Sequence, residues 1–334
     1  MPELPEVETV VRGLSRHIIG QKIKDVQILS AKSFLWNPKL TKPKKLGGKT
    51  VFPMPNEILG RTIKKISRRG KGIIIELAKP GVARKSEDGT NSLSILIHLK
   101  MTGQLIWIPS SRRHPGKVQD RIKDSGVVPP YNDDRLNYGH PDKNFIEVMP
   151  SRHTRVWFEL TKGNLYFNDQ RRFGWVKLTP TSEVQNDKFF SKLGVEPFDK
   201  SFTPAFLYNA IQRRPKSNIK SIILDQSLVT GIGNIYSDEA LFYAGIKPTR
   251  LGRSITKTDT TKLVSAIKKV LEKGIKYMGT SVNTHRTPEG SMGQMQNYLA
   301  AYDRKDQPCR KCKTPIVKIR VASRGTHYCP HCQN

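Results

Sequence analysis

Residues 1–20 read MPELPEVETVVRGLSRHIIG. Val7, Val10, Val11, Leu14 and Ile18 recur at the spacing of one helical face. Pro5 stands where a first turn tolerates a missing N–H, and Gly20 stands just past the last apolar position. The stretch predicts an amphipathic helix with Met1, Pro2 and Glu3 projecting from its start.

Outward from that helix the pattern shortens. Runs at 22–29, 62–68, 73–77, 93–99, 104–108, 155–160, 165–168 and 175–178 are β-branched or aromatic and are bounded by Gly, Pro and Asn. Short strands in series predict a sandwich or flattened barrel. From about 204 the period becomes helical. Phe206, Leu207, Ala210 and Ile211 share a face, as do Ile219, Ile222 and Ile223; Leu241 and Ala244 lead to Gly245; and Leu263, Ile267, Val270, Leu271 and Ile275 mark a long helix begun near Asp259. The expected organisation is α+β in two domains. An N-terminal helix plus β-sandwich occupies 1–185, a linker 186–203, helices 204–300 and a cysteine-bearing hairpin 301–334. Residues 109–150 hold 6 Pro, 7 Lys+Arg and 6 Asp+Glu with little periodicity, which predicts a mobile surface insertion; 36–57, rich in Lys and Pro, predicts a second loop.

The chain has 334 residues, with 58 Lys+Arg against 28 Asp+Glu, a net charge of +30. Such a surface attracts polyanions and makes an ordinary metabolic enzyme a poor fit. The charge is uneven. Residues 61–71 carry six basic side chains and no acid, and 304–334 carry eight against one, whereas 109–150 nets only +1. Hydrophobic residues at 36% exclude a disordered tail. No run of about 18 apolar residues predicts a membrane span. The acidic start resembles neither a signal nor a transit peptide.

The 4 Cys all lie near the C-terminus. Cys309-x2-Cys312 and Cys329-x2-Cys332 have zinc-ribbon spacing, able to offer four thiolates tetrahedrally; a redox pair or two disulfides are the alternatives. His327 and His331 are expected to be exposed ribbon residues. Lys318, Arg320 and Arg324 would be presented to phosphate. The sequence 230–234, TGIGN, lies between two predicted helices, where glycines and a helix N-terminus could receive an anion, or where a plain helical turn could sit. Removal of Met1 would expose the secondary amine of Pro2, whose pKa near the α-amino range leaves part of it unprotonated at neutral pH and able to attack a sugar carbon. Glu3 and Glu6 lie beside it as proton donors or orienting groups.

Five motifs occur together and in order. They are MPELPEVETVVRGL at 1–14, HLKMTG at 98–103, RRFG at 171–174, GIGNIY at 231–236 and the four-cysteine ribbon. On these the chain resembles the formamidopyrimidine-DNA glycosylase branch of the Fpg/Nei DNA glycosylase family, over nearly its whole length apart from 109–150. The resemblance implies a β-sandwich beside a helix-two-turn-helix domain with a zinc ribbon. It implies a bifunctional glycosylase and abasic-site lyase for oxidised or ring-opened purines. Pro2 would be the nucleophile, Glu3 the acid that opens the sugar, and Glu6 a group that holds the site. Lys71 would be the proton donor of β-elimination and Arg324 the residue of δ-elimination. Met101, Arg171 and Phe173 would fill the gap left by the flipped base, and His98, His153, Arg214, Lys220, Asn234, Tyr302 and Lys318 would contact DNA. The implied partners are damaged double-stranded DNA and one structural zinc, without nucleotide cofactor or membrane, in a monomer of the bacterial cytoplasm and nucleoid.

Gln170 departs from the family, where many members have Pro, and 279–296 matches a variable segment that covers the flipped base. The sister endonuclease VIII branch, which prefers oxidised pyrimidines, is the first rival; Leu4 and the Met101, Arg171 and Phe173 set favour the purine branch. A DNA-binding protein that has lost its chemistry is the second, and retention of Met1 would mark it.

Overall fold

The computed structural model describes residues 2–35, 44–46, 49–51, 56–79, 92–110, 136–139, 149–280 and 293–334. The first helix, α1 (Leu4–Ile18), forms where the periodicity places it, and Gly20 lies beyond its end at φ +85°. Its apolar face is sealed: Val7, Val10, Val11, Leu14 and Ile18 join one core with both sheets beside it. Burial of each such side chain stabilises by about 1.5–3 kcal/mol.

Among the described residues twelve strands follow α1: β1 (Ile23–Ile28), β2 (Phe34–Leu35), β3 (Lys44–Leu46), β4 (Lys49–Val51), β5 (Thr62–Arg69), β6 (Gly72–Ala78), β7 (Leu93–His98), β8 (Gly103–Pro109), β9 (Leu136–Gly139), β10 (Thr154–Leu160), β11 (Gly163–Asp169) and β12 (Trp175–Pro180). Among the described residues they make two five-stranded sheets, ordered β1-β10-β11-β8-β9 and β2-β12-β7-β6-β5, and a β3–β4 hairpin. The sheets face each other across the α1 core, the arrangement of a sandwich.

Three expectations change. The insertion at 109–150 lies mostly outside the described residues, but it contains β9, which pairs antiparallel with β8 through Leu105–Tyr138 and extends the sheet. An edge strand takes its stability from backbone pairing, so low apolar periodicity does not reveal it. The expected loop at 36–57, also largely outside the described residues, contains β3 and β4. The segment expected as a linker is docked. Phe190 packs with Val184, Ile74 and Leu96 on the outer face of the second sheet, and Asp187 Oδ2 meets Lys177 Nζ at 2.5 Å.

The helical part holds α2 (Pro204–Gln212), α3 (Ile219–Leu224), α4 (Asn234–Ala244) and α5 (Lys257–Lys276). Thr256 and Asp259 form a capping box at the start of α5, and Gly245 ends α4 at φ +72°. Their shared core includes Leu4 at the start of α1, so the two parts of the chain meet at the N-terminus. The tail forms a hairpin of β13 (Val317–Val321) and β14 (Arg324–Tyr328), with Ala322 and Ser323 at φ +50° and +59° in its two-residue turn. No described helix is long and apolar enough to cross a membrane.

Candidate active site and nucleic-acid interface

The glycines at 231 and 233 let the TGIGN loop close on the N-terminus of the chain. Gly231 has φ +90°, and a Cβ there would stand 2.7 Å from Leu4; at Gly233 it would stand 2.2 Å from the Glu3 carboxyl carbon. The anion received by this loop is the protein's own. The Glu3 carboxylate accepts from the N–H groups of Ile235 (2.9 Å) and Tyr236 (3.3 Å), the free donors at the start of α4. Leu4 N donates to Gly231 O at 3.0 Å, and Gln226 braces the loop through Gly231 N and Ile232 O.

Burial pushes the Glu3 carboxyl up to about 7 and outweighs the opposing pull of Lys71 and of the two α4 N–H groups. Pro2, just before it, is also buried. Glu6 is saturated. It accepts from Glu3 N (2.9 Å), the Tyr236 hydroxyl (2.9 Å), Thr280 N (2.8 Å) and the Thr280 hydroxyl (3.0 Å). It therefore ties α1 to α4 and to the segment leaving α5.

Lys71 arrives from the other part of the molecule, on the β5–β6 turn. Gly70, at φ +58°, lies so close to Thr230 that a Cβ would sit 2.2 Å from its hydroxyl. Lys71 Nζ donates to Ile232 O at 2.9 Å. Burial lowers the Lys71 pKa, Glu3 and Glu6 raise it, and Arg324 lowers it. The turn is anchored by groups with no signal in the sequence: Arg68 pairs with Glu8 (3.1 Å) and Glu196 (2.8 Å), and Glu196 also accepts from Gly70 N.

A second cluster lies at the β7–β8 and β11–β12 turns. Met101 and Phe173 are 42% and 53% exposed and share one neighbour, Arg171, which makes them an exposed apolar pair. Arg171 lies over the Phe173 ring at 4.8 Å and donates to Met101 Sδ at 3.2 Å, so the three form one unit. Buried Asp169 fixes both turns, accepting from the Thr102 hydroxyl, Arg171 N (3.2 Å) and Gly174 N (2.6 Å). His98 is buried against Phe189; burial first, then Lys100 and Lys71, hold its pKa down to about 3, so it is neutral, with Nδ1 accepting from Lys100 N.

The other expected contacts divide. His153 is half-buried beside Arg152, Arg214 pairs with Asp225 at 2.9 Å on the surface, and Lys318 and Arg324 are exposed on the hairpin. Asn234 opens α4 and donates to Gly325 O at 2.9 Å, fastening the hairpin tip beside the Glu3 loop. Tyr302 packs edge-on against His327 at 5.2 Å. Lys220 is a correction: expected to touch DNA, it is fully buried, its Nζ held by Asp238 Oδ1 (2.5 Å) and the Thr326 hydroxyl (2.8 Å). A buried ammonium is held by its partner charge and cannot offer itself to a phosphate in solvent. His327, expected exposed, is buried as well, while His331 is exposed. Sequence reasoning misses Asp238 and Glu239. Both are fully buried; Asp238 also accepts from His327 N, and Glu239 accepts from the N–H groups of Ala300, Ala301 and Tyr302. Their only sequence signal is an acidic pair inside an otherwise apolar helix.

The ligand atoms of Cys309, Cys312, Cys329 and Cys332 lie within 4.8 Å of one another, with Cys309–Cys332 at 3.9 Å and Cys312–Cys329 at 3.4 Å. These separations are too long for disulfides of about 2.05 Å and suit thiolates about 2.3 Å from one tetrahedral ion. Backbone N–H groups of Lys311 and Cys332 point at Cys309 and Cys329 sulfur at 3.4 Å, which stabilises sulfur carrying negative charge. The donor set fits zinc.

The formamidopyrimidine-DNA glycosylase N-terminal domain family matches residues 1–176, its H2TH domain family matches 193–286, and the zinc finger found in FPG and IleRS matches 306–334. The formamidopyrimidine-DNA glycosylase of Desulfitobacterium hafniense is 34% identical over the whole of both chains, and that of Desulforamulus reducens 35%, covering 100% of this chain and 99% of its own. Among solved structures, a Lactococcus lactis FPG mutant in complex with Fapy-dG containing DNA is 30% identical with a TM-score of 0.75, over 100% of both chains. The Lactococcus lactis Fpg in complex with abasic-site DNA is 29% identical with a TM-score of 0.74, over 99% of both. One structural zinc on the four cysteines follows from the finger match together with the donor set.

Proposed function

The chain belongs to the formamidopyrimidine-DNA glycosylase family, and on that premise we propose that it excises oxidised or ring-opened purines from duplex DNA with Pro2, freed of Met1, as nucleophile. The observation that carries the reading is the carboxyl of Glu3, beside Pro2, lifted to about 7. A carboxylic acid that keeps its proton near neutral pH can hand it to the sugar as the ring opens.

The Pro2 amine adds to C1′ of the damaged nucleotide, the bonding electrons leave with the base, and the proton that the amine loses balances the one that the base takes up. The nitrogen lone pair then expels O4′, which takes the proton of Glu3, and an iminium joins Pro2 to C1′. Loss of a C2′ proton breaks the C3′–O3′ bond, and loss of a C4′ proton breaks the C5′–O5′ bond, freeing both phosphate ends. Buried Lys71 exchanges the proton of the first elimination, and Arg324, at the hairpin tip, serves the second. Its charge reaches the buried lysine. Met101, Arg171 and Phe173 occupy the gap left by the flipped nucleotide, and Arg171 addresses the orphaned base. His98, His153, Arg214, Asn234, Tyr302 and Lys318 contact the DNA, and the enzyme works as a monomer in the bacterial cytoplasm, at the nucleoid.

Borohydride trapping on duplexes carrying 8-oxoguanine or thymine glycol tests this: an adduct with the purine lesion is expected, and preference for thymine glycol would replace the substrate class. Base excision is expected to fall as pH rises through about 7, because Glu3 then loses its proton. Glu3→Gln should lower excision by about 10²–10⁴-fold and remove that alkaline limb. Stability should change in the same direction. The folded carboxyl binds a proton that the unfolded one has released, so Glu3 lowers stability as pH rises from its ordinary value toward about 7, and pH-dependent melting of the Gln variant should lack that loss.

The wedge has its own test. Base flipping costs a few kcal/mol, so a Met101→Ala, Phe173→Ala variant is expected to excise from duplex about 10–100-fold more slowly while trapping on single-stranded abasic DNA is retained. Equal loss on both substrates would remove these residues from the flipping step.

A further inference from the structure

We infer that Lys220 and Asp238 are positioning residues that hold the Arg324 hairpin tip over the active site for the second elimination. This rests on the role proposed for Arg324. The tip itself has few means of staying in place: Arg324 and Gly325 are exposed, and the turn before them consists of Ala322 and Ser323. Asn234 fastens Gly325 O at 2.9 Å, and the next residue pair is held more deeply. Thr326, fully buried, accepts from Lys220 Nζ at 2.8 Å, and Gly325 O lies 3.5 Å from the same ammonium. Asp238 takes Lys220 Nζ on one oxygen (2.5 Å) and His327 N on the other (2.8 Å).

The pair thus clamps residues 325–327 from two sides. Lys220 comes from α3 and Asp238 from α4, the helix whose first turn receives Glu3. The clamp therefore references the hairpin tip to the same helix that positions the acid. Neither residue has accessible surface. Their effect on DNA chemistry must pass through the hairpin, and a misplacement of about 1 Å can cost about 10²-fold in rate.

The test measures, on a preformed abasic duplex, the share of strand breaks that carry the 3′-phosphate end of the second elimination against those that stop after the first. The Lys220→Met, Asp238→Leu double variant removes both charges together and leaves no orphaned ion. It is expected to lower the doubly eliminated share about tenfold, with zinc content and the borohydride trapping rate unchanged. An unchanged share overturns the inference, and so does a trapping rate that falls in parallel, since the clamp would then support the whole site rather than the tip. Thr326→Val, which removes one hydroxyl from the clamp, decides the same question if the double variant fails to retain zinc: a lowered share is expected, and parent behaviour overturns the inference. Arg324→Ala separates the two roles. If it leaves the product ratio untouched, the role of Arg324 fails; if it lowers the ratio while the clamp variants do not, the positioning inference alone fails.

Discussion

Protein that retains Met1, or carries a short uncleaved extension ahead of Pro2, is expected to lose base excision and strand nicking together, by on the order of 10³-fold or more. The change leaves every side chain in place. It converts the Pro2 nitrogen into an amide, whose lone pair is delocalised and cannot add to C1′. Binding to a duplex containing a non-cleavable abasic analogue should remain, because the charge of the chain and the exposed wedge are unaltered. Intact mass fixes the fraction blocked, and single-turnover kinetics on an 8-oxoguanine duplex measures the loss. A blocked protein that still forms a borohydride adduct at the parent rate would move the nucleophile elsewhere. Lys71 would then be the first amine to test, since it is buried beside Glu3 with a lowered pKa.

Removal of zinc, by chelation or by Cys309→Ser, is expected to have the second largest effect. The apolar cluster of the ribbon is small: Ile316, Ala300, Ala301 and Phe242 with Cys309 and Cys329. Such a cluster cannot order the tail by itself, and metal binding at about 10–16 kcal/mol supplies its folding free energy. Without it β13 and β14 should melt, Arg324 and Lys318 should lose their place beside the Glu3 loop, and nicking should be lost with much of the DNA affinity. Among the described residues the sandwich core contains no ribbon residue, so its unfolding transition should persist. Circular dichroism with zinc titration reads the first effect, and gel analysis of cleavage reads the second. Full nicking by metal-free protein would make the ribbon dispensable and would also take away the role of Arg324.

How legible each part is follows from the range of the interaction that makes it. α1, α5 and the turn after α4 come from spacings within a few residues, together with local caps, and they form where the sequence puts them. β9 escapes because pairing with β8 across a long connection, rather than side-chain alternation, makes it a strand. The TGIGN loop is legible as an anion receptor, yet its partner is Glu3, separated by 232 positions in the chain. Lys220 reads as a contact for DNA because its charge is visible in the sequence, while its burial against Asp238 is not. Arg68, Glu8 and Glu196, which anchor the Lys71 turn, give no pattern at all until the fold brings them together.

Covalent order already carries the chemical inventory: a proline behind the initiator methionine, carboxyls beside it, four cysteines at chelating spacing and a large positive charge to draw in DNA. These are properties of covalent order and summed charge, which folding does not alter. Which groups keep their protons and which face the solvent depends on the folded chain. Glu3 reaches about 7 because burial removes the water that would stabilise its charge, and Lys71 is lowered for the same reason. The dielectric surroundings of an atom are set by every segment packed around it, and here those segments come from both ends of the chain.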